Sequence, residues 1–180
     1  MIETETQSFL RSAEILRNAL TAVLALLILM GAVVVVWTLV ETGAAGRWLA
    51  AQVGQDGDDA SGMQAFGLTA LTLTQIGIWY AVVWQTRRIF TALLIADASA
   101  AGAAARRTAQ LLWVVVIWGV LAAALGTVVA SWHYPEGERT LAVSIGPGQI
   151  TTIFAALLAS FTSHAFVLGA ALWRDHREVI

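Results

Sequence analysis

Hydrophobic positions in this chain gather into four long runs, Ala19 to Val40, Phe66 to Gln85, Ala109 to Trp132 and Ile150 to Trp173. None of the runs contains Pro, Lys, Arg, Asp or Glu. Each reaches the roughly 20 residues that a helix needs to cross about 30 Å of hydrocarbon. Backbone groups in lipid have no water to bond to, so runs of this kind must be helices. A membrane β-barrel would instead show alternating segments of about ten residues, and the chain has none. The pattern predicts an all-α integral membrane protein. Its architecture is a four-transmembrane-helix bundle forming one domain over residues 1–180, with spans at 19–40, 66–85, 109–132 and 150–173.

The segments between the runs predict smaller elements. Residues 1–18 read as a short amphipathic helix, with Phe9, Leu10, Ile15 and Leu16 roughly opposite the charged positions. Glu3, Glu5 and Glu14 beside Arg11 and Arg17, ahead of so long an apolar run, predict a retained anchor rather than a cleaved leader. Gly46 to Val53 predicts a brief surface helix. Gln55-Asp56-Gly57-Asp58-Asp59 predicts a solvated acidic turn, since it lacks the glycine and the distal bidentate glutamate of an EF-hand register. After Arg87-Arg88, residues Thr91 to Ile95 continue helically, and a small-residue stretch, Ala98 to Ala105, leads to Arg106-Arg107. The last connection holds both prolines: a turn at Tyr134 to Glu138, a short strand at Thr140 to Ile145, and a break at Gly146-Pro147-Gly148.

Composition narrows the chemistry. Of 180 residues, 58% are hydrophobic and 12% charged, with mean hydropathy +0.75; soluble domains average about 45–50% and about 25%. A soluble globular enzyme and a disordered chain are both excluded. There is no cysteine, so disulfides, thiolate catalysis and thiolate-held metals are excluded too. Every basic residue is arginine, which removes Schiff-base chemistry and a P-loop lysine. A net charge of −2 argues against nucleic acid as a direct partner.

The arginines are sorted. Arg11, Arg17, Arg87, Arg88, Arg106, Arg107, Arg174 and Arg177 fall on one side of the predicted membrane, against Arg47 and Arg139 on the other. The positive-inside rule then makes both termini cytoplasmic. Tryptophans follow the same layout. Trp37 and Trp132 lie near outer ends of spans, and Trp84, Trp113 and Trp173 near inner ends, where an indole meets both acyl chain and water. Trp79 and Trp118 lie deeper, as packing residues.

Two polar residues stand out at membrane depth, Gln75 in the second span and His164 in the fourth. With Ser160 and Ser163 beside His164, and Thr72 and Thr74 beside Gln75, they predict a hydrogen-bonded seam between spans two and four. The alternative reading makes His164 an axial ligand to haem or a pigment, or a proton-relay group. His133 and His176 do not share its depth, which disfavours a bis-histidine haem within one chain. Small residues form stripes at Gly119, Ala123 and Gly126, at Ala122 and Gly126, and at Ala155, Ala159 and Ser163. No nucleophile–base pair, carboxylate pair or metal-ligand cluster appears at useful spacing, so no enzyme and no resident cofactor is expected.

The second half carries a resemblance. Ile89-Phe90-Thr91-Ala92-Leu93, then Ala104-Ala105-Arg106-Arg107 and the third apolar run, resemble the bacterial family called domain of unknown function 2975. Pro135-Glu136-Gly137-Glu138-Arg139 with Leu141 to Ile145, and the ending Gly169 to Ile180, are similar to it as well. The resemblance covers roughly residues 85–180, and Arg174 and His176 depart from its tail pattern. It implies four spans and a bacterial inner membrane, and it supplies no activity or catalytic residue. It also implies association with a cytoplasmic regulator. The expectation is therefore a non-enzymatic accessory, scaffold or regulatory subunit acting through protein–protein contacts. Its partners would be the lipid bilayer and other membrane subunits or further copies of itself. Arg87, Arg88, Arg106 and Arg107 would form the inner surface for a partner or for lipid. A haem- or pigment-binding subunit using His164, or a small-solute permease, are the alternatives.

Overall fold

The computed structural model describes residues 2–52, 61–95, 97–131 and 146–178, with side chains for 11–52, 61–95, 97, 99–131, 146–165 and 168–169. Among these residues there are five helices and no strand: α1 Ile2–Val40, α2 Thr42–Gln52, α3 Gly62–Leu94, α4 Ala98–Ala130 and α5 Pro147–Glu178. The expected acidic turn at 55–59, the turn at 134–138 and the strand at 140–145 lie outside the described residues.

Three helical stretches, Arg11–Val40, Gly62–Leu94 and Ser99–Ala130, are long and apolar enough to cross a membrane. The fourth apolar run lies on α5, which at 32 residues is about 48 Å long.

The helices run past the apolar segments, and the reasons are local. The expected lead-in helix and the first span are one 39-residue helix, because no glycine or proline interrupts residues 2–30. The expected surface helix at 46–53 begins earlier, at Thr42, with only Glu41 outside helix between α1 and α2. The Trp37 carbonyl accepts from Glu41 N, and the Glu41 carbonyl accepts from Ala45 N, so the backbone ladder barely pauses there. The small-residue stretch 98–105 is the first part of α4, as its alanines favour.

That leaves Ile95–Asp97 as the whole α3–α4 connection, and Asp97 performs both halves of the turn. Its N–H donates to the Ala92 carbonyl at 3.0 Å, closing the end of α3, and its carbonyl accepts from Ala101 N at 3.1 Å. Its carboxylate accepts from Ala100 N at 2.9 Å and from the Ser99 hydroxyl at 2.8 Å, an N-cap on α4. The Ala100 N–H, then the Ser99 hydroxyl, hold the Asp97 carboxyl below its ordinary value. A lowered carboxylate stabilises the fold above the unfolded value, and that contribution disappears as pH falls through the folded one. Asp97→Ala is expected to speed amide exchange in the first turn of α4, while Asp97→Asn keeps the cap at neutral pH. Only the wild type should then lose protection on acidification; equal exchange in all three chains would refute the role.

By its contacts the chain divides into two compact units. The first comprises Met1–Leu26, Tyr80–Val114 and Thr151–Ile180; the second comprises Leu27–Trp79 and Val115–Ile150. Of the arginines among the described residues, the first unit contains eight and the second holds Arg47. Within the first, α4 buries Ala101, Ala104, Ala105, Thr108, Ala109 and Leu112, a small-residue seam at helical spacing. In the second, Leu49 and Ala50 of α2 bury against Leu68, with Leu71 and Val129 packed around them.

Candidate functional site

Buried polar side chains are the features that a chain rich in apolar residues must explain, because each costs free energy unless it is hydrogen-bonded. The second unit concentrates them. Ser61 and Gln64 form a capping box at the start of α3: Ser61 N donates to Gln64 Oε1 at 2.7 Å, and Gln64 N donates to Ser61 Oγ at 3.4 Å. The amide nitrogen of the same glutamine then donates to the Val129 and Ala130 carbonyls, at 3.2 and 3.1 Å. Those carbonyls close α4 and have no partner in their own helix. One buried side chain therefore caps the start of α3 and the end of α4. Beside it Gly67 lets the two backbones approach, since a Cβ there would stand 3.0 Å from Val129 Cγ1.

α3 is tied to α1 as well. The Thr38 and Thr69 hydroxyl oxygens lie 2.8 Å apart, both buried. Thr38 donates to the Val34 carbonyl at 2.8 Å, so its one proton is used and Thr69 is the donor between them. Thr127 and Ser131 are also buried, and their hydroxyls return to carbonyls of their own helix, Ala124 at 2.9 Å and Thr127 at 2.7 Å. Trp37 and Trp48 cover the α1–α2 corner, ring centroids 5.6 Å apart and tilted by 56°.

Gln75 belongs to this second unit, where it is half-buried and makes no hydrogen bond to another described residue. Its neighbours Thr72 and Thr74 bond back to the Leu68 and Ala70 carbonyls. Ser160, Ser163 and His164 belong to the first unit, where α5 brings them together. The Ser160 hydroxyl donates to the Ala156 carbonyl at 2.7 Å and accepts from Trp113 Nε1 at 3.3 Å, a direct link from α5 to α4. The Ser163 hydroxyl and His164 Nδ1 both lie 2.8 Å from the Ser160 carbonyl. Ser163 is buried, whereas His164 is exposed. Of the small-residue stripes, Gly126 and Ser163 are buried, while Gly119, Ala122, Ala123, Ala155 and Ala159 are half-buried.

The arginine cluster stands in the first unit. Arg87 is half-buried, and Arg88, Arg106 and Arg107 are exposed. The Arg87 guanidinium lies 5.6 Å from the centre of the Trp84 ring, and Tyr80 stacks on that ring at 6.3 Å and 16°. Three buried polar atoms find no partner among the described residues, Gln85 Oε1, Arg87 Nε and Trp118 Nε1.

Gln64, Thr38 and Thr69 are absent from the sequence expectation. For Gln64 a signal existed, since Ser61-x-x-Gln64 has the capping-box spacing at a helix start. For the threonines there was none, because nothing in their spacing says that residues 38 and 69 meet. No protein-family model, no curated protein and no solved structure matches this chain.

Proposed function

We propose that the chain is a four-span bacterial inner-membrane protein with both termini cytoplasmic, serving as a non-enzymatic accessory or scaffold subunit. The observation that carries the contact role is the face of α1. In its most apolar stretch only 6% of residues are buried, against 22% in each of the two other long apolar helices. Leu26, Leu29, Val33, Val36 and Val40 are 56–75% exposed and recur at alternating steps of three and four. That spacing makes a straight seam for a facing helix, and the valines present stiff, branched knobs. The resemblance of residues 85–180 to domain of unknown function 2975 suits a contact role.

Absence of native cysteine makes the test clean. Val33→Cys and Val36→Cys should cross-link in native membranes, to another membrane protein or to a second copy, while buried Leu24→Cys should not. Ser99→Cys should label only from the cytoplasmic side and Ala51→Cys only from the outside. A chain that neither cross-links along α1 nor co-purifies with anything in mild detergent would sink the contact reading.

One observation favours a second reading, cofactor binding at His164. A proton on Nδ1, donated to the Ser160 carbonyl, holds the ring in place and leaves Nε2 free as a ligand atom. A colourless preparation, unchanged by His164→Ala, eliminates it.

A further inference from the structure

Tyr80, Trp84, Arg87 and Arg88 recur at i, i+4, i+7 and i+8 of α3 and so share one face. They are graded by polarity, two aromatic rings followed by two cations. Tyr80 stacks on Trp84, and the Arg87 guanidinium lies over that indole at 5.6 Å. A guanidinium held on a ring keeps its fork of N–H donors in a set direction, the geometry that grips a phosphate through two bonds. Arg87 Nε is buried and has no hydrogen-bond partner among the described residues, and a buried cationic N–H without an acceptor is costly.

The α3–α4 hairpin brings up more charge. Arg87 and Arg88 stand shortly before the end of α3 at Leu94, and Arg106 and Arg107 shortly after the start of α4 at Ala98. At 1.5 Å per residue, both pairs lie about 9–14 Å from the turn. Among the described residues the one arginine–carboxylate ion pair is Arg17 with Glu14, at 3.7 Å. The Asp97 carboxylate is committed to its cap. The four arginines thus stand at similar distances from the turn, and no described carboxylate bridges them.

Arg87 and Arg88 stand where the apolar run 66–85 ends. An anion bound there meets cations on its water side and the Trp84 and Tyr80 rings one and two turns deeper into the apolar run. This is the polarity gradient of a phospholipid, with its phosphate outermost and its glycerol and acyl chains below. The carboxylates of an acidic peptide would use the cations alone, whereas a phospholipid uses the cations and the aromatic rings together.

We propose that this face is a binding site for the phosphate group of an anionic phospholipid. Arg87, oriented by Trp84, is the specific fork, and Arg88, Arg106 and Arg107 supply the surrounding charge. The inference rests on the membrane reading but not on the orientation or on a protein partner, because it is tested on the chain in detergent.

Native mass spectrometry of the full chain in mild detergent, with dioleoyl phosphatidylglycerol or dioleoyl phosphatidylcholine added, reads the preference directly. The anionic lipid should be retained several-fold better. Arg87→Gln should lower that retention about fivefold, the effect of one charge at a membrane surface, and lower the weaker retention of the zwitterionic lipid less, because its choline cation offsets the phosphate. Arg47→Gln should change nothing, and Arg87→Lys should fall between, since it keeps charge without the fork. Should Arg87→Gln lose its far-ultraviolet helical signal, Trp84→Leu replaces it, with reduced retention expected although every charge remains. Equal retention of the two lipids, or full retention by Arg87→Gln, overturns the proposal. An excess of inorganic phosphate that displaces the lipid would assign the site to free phosphate and overturn the lipid assignment.

Discussion

Replacing Gln64 with alanine is expected to lower the unfolding free energy by about 2–3 kcal/mol. The side chain accepts from Ser61 N at 2.7 Å and donates to the Val129 and Ala130 carbonyls at 3.2 and 3.1 Å. Alanine leaves all three backbone groups without it, in a place where Gln64 itself is buried and water does not readily substitute. Gln64→Glu separates the two duties. A carboxylate still accepts from Ser61 N and keeps the α3 cap, but it faces two carbonyl oxygens with no proton to offer. The glutamate variant should therefore retain slow exchange in the first turn of α3 while losing stability. Equilibrium unfolding in mixed detergent, followed by helical signal, measures both variants. A loss under about 0.5 kcal/mol for alanine, the scale of an ordinary surface change, would show that the bridge is not a stabilising contact.

Gly67→Leu should cost about 1–3 kcal/mol, the range for overfilling a packed contact. A Cβ at residue 67 already stands 3.0 Å from Val129 Cγ1. Val129 is β-branched and on a helix, so it has one favoured rotamer and cannot swing aside. The backbones must therefore separate where Gln64 reaches across, one turn earlier on α3. Widening that gap weakens the Gln64 bonds as well, so the Gln64→Ala and Gly67→Leu costs should sum to more than the double variant shows. Gly67→Ala is the milder probe. It needs a shift of a few tenths of an ångström, while alanine gains about 0.8–1.0 kcal/mol of helix propensity over glycine. Pairing it with Val129→Ala relieves the contact, and the pair should recover what the clash alone costs. Strict additivity between residues 64 and 67 would contradict the shared contact.

The hydrophobic pattern covered Gly67 and Val129 with two of its runs but did not say that they would meet, and it passed over Gln64. The runs 19–40 and 66–85 lie wholly inside α1 and α3, and the run 109–132 is helical as far as Ala130, where α4 ends. Apolar length is a local property, so it is readable without knowing the neighbours. The helix ends were less legible, because polar and small residues such as Ala98 to Ala105 suit a loop and a helix alike. Their state was settled by a cap at Asp97 and by burial of Ala101, Ala104 and Ala105. His164 and Gln75 drew notice as polar residues in apolar runs, yet they stand in different units. The polar groups that join helices in the second unit are smaller or nearer a helix end: Thr38, Thr69 and Gln64.

By itself the sequence determined the helical class, the long apolar segments and the sorting of eight arginines from two. Each of these depends on composition within a run or beside it. Only the tertiary structure decided that Gln64 caps two helices, that Gly67 admits Val129, and that Arg87 lies over Trp84. The physical reason is the uniformity of the runs. A helix apolar on nearly every side does not advertise which face will meet a neighbour, so its partners are chosen by shape and by rare polar atoms seeking hydrogen bonds.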